Sequence, residues 1–216
     1  MRVWLPDRPG ALGQVASRIG AVRGDVLGIE IIERGGGRAI DDLVVRVPDA
    51  ELLDLLVSEV KAVDGAAVED VRLAPGAPGD PRLDALEAAA DLVAAGTVPE
   101  LLDALVGRAA EELGAGWVAL VDGPTRSVTS STGPVPPLPW LLAFLEGSRS
   151  SAAVAAGDAG PDELGCSELA AAEVWVVVGR PGRSLRSRER HLLSALARLA
   201  DARWGELVRR APAVAF

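Results

Sequence analysis

The segment from Trp4 to Leu12 constrains the fold more than any other, because an apolar strand passes through a short polar turn directly into a helix. Pro9 has no N–H group and a fixed φ, so we expect it in the first turn of that helix. Gly10 allows a close approach to the backbone. The free N–H groups of a helix N-terminus and the positive end of its dipole favour an anion. Residues 7–12, called the cradle loop below, are therefore predicted to hold a carboxylate.

Hydrophobic periodicity predicts six elements in the order βαββαβ within the first 73 residues. The patterned segments are, in order, residues 2–6, 12–22, 27–32, 42–47, 52–63 and 67–73. Residues 35–37, all glycine, are the predicted hairpin turn between the second and third strands. Asp49 is the predicted N-cap of the second helix. This order is typical of the ferredoxin-like fold, a four-stranded antiparallel sheet with both helices on one face. The fold alone implies no function.

Residues 74–81 are rich in proline and glycine and are predicted to be a linker between two domains. The chain is thus divided into a first domain (1–73), the linker, a second domain (82–210) and a tail (211–216).

The second domain mixes helical and strand patterns. Helices are predicted on the apolar stripe Leu83, Leu86, Ala90 and Val93, from the capping box Thr97–Glu100 to Gly114, and from Ser187 onward. Strands are predicted at 117–121, 127–131 and 174–178, and the last of these is apolar enough to be a buried central strand. A brief helix is placed at 140–145. Residues 146–172 show no clear pattern, and the whole chain is predicted to be α+β.

Composition favours a globular protein. The 216 residues are 49% hydrophobic and carry a net charge of −9, which argues against nucleic acid as the main partner. Residues 180–216 are the exception, with nine arginines against three acidic residues. We interpret them as the solvated face of an amphipathic helix, while docking to an acidic partner or a phosphate stays open.

Membrane and secretion signals are not found in the sequence. No apolar run approaches the ~20 residues that span a bilayer, and the N-terminus lacks the pattern of a secretory leader. Cys166 is the single cysteine, which fits a reducing compartment. We expect no membrane partner and a cytoplasmic location.

Catalytic chemistry is not evident in the sequence. His191 is the sole histidine, and Cys166 lacks neighbours that would activate its thiol. Neither zinc-ligand spacing nor a phosphate-binding loop is found. Asp41 and Asp42 resemble a carboxylate pair, but neighbours on a strand point to opposite faces. We therefore expect no enzyme activity, no metal and no cofactor.

The first domain resembles the ACT domain, a regulatory module of amino-acid metabolism. The resemblance rests on the run Asp7-Arg8-Pro9-Gly10-Ala11-Leu12 after the first strand, on Gly24-Asp25-Val26 at the second strand, and on the βαββαβ order. It implies a homodimer that binds an amino acid between the loop of one protomer and the second strand of the other. The implied ligand-binding residues are Asp7, Arg8, Gly10, Ala11 and Leu12, with Asp25 and Val26 from the opposite protomer. The family often has Asn at Asp25, so this carboxylate would pair with the ligand's ammonium group instead.

The second domain resembles a GAF domain, which implies a GAF-like α/β sandwich with an antiparallel central sheet and flanking helices. Residues 173–182 and 185–197 are similar to the last strand and helix of that family. Residues 132–172 depart from its pattern and look short. Trp140, in a proline-rich stretch, is the candidate pocket residue.

Two functions are compatible with these patterns. The first, which we favour, is a non-enzymatic homodimeric sensor that binds an amino acid or a related metabolite. The second is a ligand-free dimeric scaffold that docks a separate enzyme or regulator.

Overall fold

The computed structural model describes residues 1–73, 80–151 and 161–210. The chain divides into two compact units, Met1–Gly79 and Asp80–Phe216. Most of the predicted linker and the whole predicted tail lie outside the described residues.

The first unit has the ferredoxin-like arrangement predicted from the sequence. Its sheet has the order β2-β3-β1-β4, and all three neighbouring pairs are antiparallel. Its elements are β1 (Arg2–Pro6), α1 (Ala11–Ala21), β2 (Asp25–Gly35), β3 (Arg38–Arg46), a 3-10 helix (Ala50–Leu52), α2 (Leu53–Lys61) and β4 (Ala67–Asp70).

One apolar core joins both helices of the first unit to the sheet. It is built from buried residues of β1, α1, β3 and α2 and of the turns that follow the helices: Val3, Leu5, Val15, Ile19, Val22, Leu43, Leu56, Val60 and Val63. Alternate residues of a strand point to opposite faces, so this core fixes which side chains of β1 and β3 lie beneath the helices.

Three predicted details of the first unit are wrong. Helix α1 begins at Ala11 with Gly10 as its N-cap, so Pro9 precedes the helix and does not lie in its first turn. Asp49 caps the 3-10 helix, where its side chain accepts a hydrogen bond from the Glu51 amide at 2.9 Å. Strand β4 ends at Asp70 and does not reach residue 73.

Strand β2 lies at the edge of the sheet and departs from simple alternation. Its pairing with β3 shifts register twice, between Val26 and Gly28 and between Ile31 and Glu33. Leu27, Ile29 and Ile31 are each between 41% and 48% exposed. A long edge strand with exposed apolar side chains is a surface prone to pairing with another strand.

The second unit contains a separate antiparallel sheet with the order β6-β5-β8-β7. Its elements are α3 (Pro81–Ala94), α4 (Val98–Leu113), β5 (Trp117–Asp122), β6 (Ser127–Thr132), α5 (Leu138–Arg149), β7 (Leu164–Leu169), β8 (Val174–Gly179) and α6 (Ser187–Arg210). No helix among the described residues is long and apolar enough to cross a membrane.

Strand β8 is buried along its whole length because each face of this sheet is covered. Helices α3, α4 and α6 pack on one face, and their core includes Leu105, Val176 and Leu196. Helix α5 packs on the other face through Leu141 and Leu145, where Trp175 completes the core. The prediction of a buried central strand at 174–178 is confirmed.

Three predictions in the second unit need correction. The predicted apolar face of α3 is exposed at Leu83, Leu86 and Val93, whereas Ala88 and Leu92 are buried. Helix α5 spans 138–149 and not 140–145, so it begins within the proline-rich stretch that precedes Trp140. Strand β7 falls in the stretch where no pattern was found.

The corrected face of α3 yields a stability prediction. Replacing Leu92, which is fully buried, with Ala removes core contacts and leaves a cavity, so we expect a loss of about 2–5 kcal/mol of unfolding free energy. The matched change Leu86→Ala, on the exposed face, is expected to change it by about 0.5 kcal/mol or less. Urea unfolding of both variants measures the difference, and equal losses would contradict this placement.

Candidate functional site

The cradle loop is held against the β2–β3 hairpin. The Asp7 amide donates a hydrogen bond to the Gly37 carbonyl at 2.9 Å, and the Arg8 amide donates to the Pro6 carbonyl at 2.8 Å. The part of the cradle loop that precedes α1 ends at Gly10, whose φ of 87° lies in the left-handed region. A side chain there would meet no atom within 4 Å, so Gly10 is required for its backbone conformation and borders open space.

Two amides of the first turn of α1 remain available to a ligand. The Ala11 amide donates to the Arg8 carbonyl at 3.3 Å, and the Gln14 amide donates to the Gly10 carbonyl at 3.0 Å. Among the described residues, the amides of Leu12 and Gly13 have no acceptor. The first turn also contains no acidic side chain to offset the helix dipole. Of the predicted residues, Ala11 thus has its amide engaged within the chain, whereas the amide of Leu12 and that of the next residue, Gly13, are available.

The charged side chains around the cradle loop form weak, exposed pairs. Asp7 lies 4.0 Å from Arg34 of β2, and Arg8 lies 3.6 Å from Asp64. Each of these four side chains is at least two-fifths exposed, so each pair contributes little to stability. The pairs leave the guanidinium groups and carboxylates free to rearrange around a ligand.

Asp25 and Val26 do not lie beside the cradle loop of their own chain. They begin β2, whereas the cradle loop is bonded beyond the other end of that strand, at Gly37. At about 3.4 Å per residue, the ten-residue separation of Asp25 and Gly35 spans about 34 Å. A shared site requires a second copy of the chain.

The side chains of Asp25 and Val26 already have partners within the first unit. The Asp25 carboxylate accepts a hydrogen bond from Arg46 at 2.6 Å, and Val26 packs against the core of this unit. Arg46 would compete with a ligand ammonium group for Asp25.

Asp41 and Asp42 point to opposite faces of β3, as the alternation of strand residues predicts. Asp42 accepts two hydrogen bonds from Arg2, Nε to Oδ1 at 2.9 Å and Nη2 to Oδ2 at 2.7 Å. Asp41 pairs in register with Val3, so its side chain lies on the helix-covered face.

The burial of the Asp41 carboxylate was not predicted from the sequence. Its side chain is only 4% exposed, and Oδ1 has no hydrogen-bond partner among the described residues. Burial raises the pKa of this carboxyl above its usual value, Arg34 opposes the rise, and Asp7 and Asp42 add to it. The alternation of strand residues that places Leu43 on the inner face also places Asp41 there, so the sequence pattern could have predicted its burial.

Trp140 borders a cleft of about 500 Å³ in the second unit. Trp117, Leu164 and Arg180 also line this cleft. The Trp140 ring packs edge-on against Trp117, with centroids 6.3 Å apart, and stacks on Phe144 at 5.8 Å. The Arg180 guanidinium is paired with Glu189, with Nη1 donating to Oε1 at 2.6 Å. The exposed surface of the cleft is mainly aromatic and apolar.

A second, smaller cavity of about 120 Å³ lies where α5 meets β5 and β8. Arg126, Arg149 and Trp175 line it. The Arg149 guanidinium sits 5.0 Å from the Trp175 ring centroid, and the Trp175 indole N–H has no acceptor among the described residues. The cavity has room for only a few water molecules.

The residues weighed for catalysis, His191 and Cys166, differ in exposure. His191 is exposed on α6, and burial raises the pKa of the Cys166 thiol, against the effects of Ser148 and Arg190. A higher pKa disfavours the reactive thiolate. The described part of the chain contains no group of three or more His, Cys, Asp or Glu side chains placed to hold a metal ion.

Comparison with known proteins supports the resemblance of the first unit. The ACT-domain family model matches residues 1–65, and domains of this family typically bind small molecules such as amino acids and regulate enzymes. The match covers 65 of the 216 residues. No match to the chain was found among curated proteins or among solved structures.

Two glycines on either side of the start of α1 test this geometry. Gly10→Ala places a side chain in left-handed backbone, and we expect it to lower the unfolding free energy by about 1–2 kcal/mol. Gly13→Ala, within the helix and with open space around it, is expected to raise that energy by about 0.5–1 kcal/mol. Chemical denaturation of both variants provides the comparison, and a stabilising Gly10→Ala would contradict the observed N-cap.

Proposed function

We propose that this protein is a non-enzymatic, homodimeric regulatory protein whose first unit binds an amino acid or a related metabolite at the cradle loop. The observation that carries the proposal is the pair of available amides at Leu12 and Gly13, beside open space at Gly10. The match of residues 1–65 to the ACT family supports the ligand class.

In this proposal the ligand carboxylate accepts hydrogen bonds from Leu12 and Gly13. Asp7 and Arg8 flank it, and the start of β2 from a second copy, at Asp25 and Val26, closes the site. Binding between protomers then stabilises one arrangement of the dimer. A ligand shifts such an equilibrium only by its difference in affinity for the two states.

The proposed dimer is formed through the edge of the first unit. Strand β2 has eleven residues and exposes Leu27, Ile29 and Ile31. Pairing two copies along β2 would cover these side chains and extend the sheet across both copies.

We propose that the second unit is a GAF-like sensor or docking domain. Its antiparallel sheet with helices on both faces supports this assignment, and the cleft beside Trp140 is its candidate pocket.

A thermal-shift screen of the full chain against the proteinogenic amino acids tests the cradle loop. A ligand at 100 times its Kd is expected to stabilise the unit that binds it by about 2.7 kcal/mol. Gly10→Asp places a carboxylate before the two amides, so we expect it to abolish the shift by charge repulsion.

Gly10→Asn is the matched control, since Asn has nearly the same shape, tolerates left-handed backbone and carries no charge. It is expected to retain most of the shift. A hit that survives Gly10→Asp unchanged would place the ligand elsewhere in the chain.

Sedimentation velocity tests the dimer. We expect Ile29→Lys, on the exposed edge of β2, to dissociate it because the substitution buries a charge in the proposed interface. Leu86→Lys, on the exposed face of α3, is the control and should leave the dimer intact. Dissociation by Leu86→Lys alone would assign the interface to the second unit.

The scaffold remains the second candidate function, and one observation favours it. Leu83, Leu86 and Val93 form an exposed apolar stripe on α3, next to the acidic side chains Asp84 and Glu87. Such a surface suits an apolar, basic partner segment. A chain that shows no metabolite-induced shift, yet loses a captured partner on Leu86→Lys, would favour this function.

A further inference from the structure

The cleft beside Trp140 in the second unit is lined by aromatic rings and by acidic side chains. Its volume is about 500 Å³, and Trp117, Trp140, Asp162 and Glu163 are among its lining residues. Trp140 is 43% exposed, although its ring packs edge-on against Trp117 and stacks on Phe144. An aromatic surface is therefore open to a ligand in the cleft.

The exposed charges that line this cleft are negative. Asp162 and Glu163 lie on the surface, and within the described part of the chain the Asp162 carboxylate takes part in no hydrogen bond or ion pair. Glu163 accepts one hydrogen bond at Oε1, from the Gly182 amide at 2.9 Å. Arg180 also lines the cleft, but it is only 2% exposed and donates two hydrogen bonds to Glu189, which neutralises its charge.

Arg190 is a further cation whose charge acts on Asp162. It is 8% exposed, and its guanidinium donates hydrogen bonds to the carbonyls of Leu164 at 2.5 Å and Pro161 at 2.6 Å. Over the described ranges no salt bridge joins Arg190 to Asp162. The Asp162 carboxylate is therefore available to a cation that enters the cleft.

We propose that this cleft binds a small organic cation, with its ammonium group against the Trp140 ring and near the Asp162 carboxylate. The inference rests on the proposed pocket of the second unit and is independent of the cradle loop. A cation is attracted to the negative face of an aromatic ring, most strongly to that of tryptophan. The two carboxylates add to this attraction and repel an anion such as a phosphate.

The apolar surface of the cleft explains why the cation is organic. A bare ammonium or metal ion would leave most of the 500 Å³ unfilled, and the aromatic rings offer it no oxygen ligands. Alkyl groups on the nitrogen contact the rings while the charge stays near Asp162. A quaternary or alkyl-substituted ammonium compound meets both conditions.

Titration of the isotopically labelled full chain with choline, followed through the tryptophan indole N–H resonances, tests this proposal. The matched ligand is the uncharged dimethylbutanol in which carbon replaces the quaternary nitrogen, so the two molecules differ in charge and little in shape. We expect choline to shift the resonances of Trp117 and Trp140 together. We also expect it to bind about fivefold or more tightly than the alcohol.

Asp162→Asn keeps the shape of the side chain and removes its charge. We expect this variant to bind choline about threefold more weakly, the effect of one exposed ion pair, and to bind the alcohol as the wild type does. Asp54→Asn, at an exposed position on α2 of the first unit, is the control and should change neither affinity.

Trp140→Leu keeps an apolar side chain and removes the aromatic ring. We expect it to lower the affinity for choline about fivefold, whereas Trp140→Phe should retain most of the affinity. Trp204 packs against the core on the other face of the sheet, so an unchanged Trp204 resonance shows that each variant is folded.

The outcomes separate the ligand class from the pocket itself. Equal binding of choline and the alcohol would leave the pocket standing and overturn the preference for a cation. Unchanged Trp117 and Trp140 resonances with both molecules would overturn the pocket as well. Tighter binding of an uncharged proline-rich peptide at the same resonances would assign the cleft to an extended protein segment and overturn the proposal. The cradle loop is scored separately, by its response to amino acids.

Discussion

The left-handed conformation of Gly10 is the constraint on which the geometry of the cradle loop depends. It turns the chain from β1 into α1 within a few residues and directs the first amides of the helix outward. The hydrogen bond from Asp7 to Gly37 fixes the loop to the β2–β3 hairpin. Two of these amides have no acceptor among the described residues, so they remain open to water or to a ligand.

The sequence predicts the first unit well where signals are local. The alternating strands, the three glycines of the hairpin and the helical stripe on α1 define the ferredoxin-like order without reference to distant contacts. Helix α4 is similar: Thr97 caps its start and Gly114 ends it, as the capping box and the glycine predict. The sequence placed Pro9 in the first turn of α1. The helix instead begins at Ala11, after the left-handed Gly10.

The predictions are wrong where the burial or pairing of an element depends on packing against elements distant in the sequence. On α3, alanines lie on both faces, so periodicity does not identify the buried face. Tertiary contacts determine that Ala88 and Leu92 lie in the core. Strand β7 contains Ser167 and Glu168 and lacks a clear apolar alternation, yet it pairs with the fully buried β8. Periodicity placed Asp41 inward, but whether a distant arginine reaches it, as Arg2 reaches Asp42, is decided by the assembled sheet.

We propose above that an amino acid binds at the start of α1 through the backbone amides of Leu12 and Gly13. Backbone amide chemical shifts of the isotopically labelled full chain, followed during titration with an amino acid, measure this residue by residue. We expect the amides of Leu12 and Gly13 to shift together, with the same apparent Kd. Shifts confined to the second unit, or unchanged amides at Leu12 and Gly13 under saturating ligand, would contradict it.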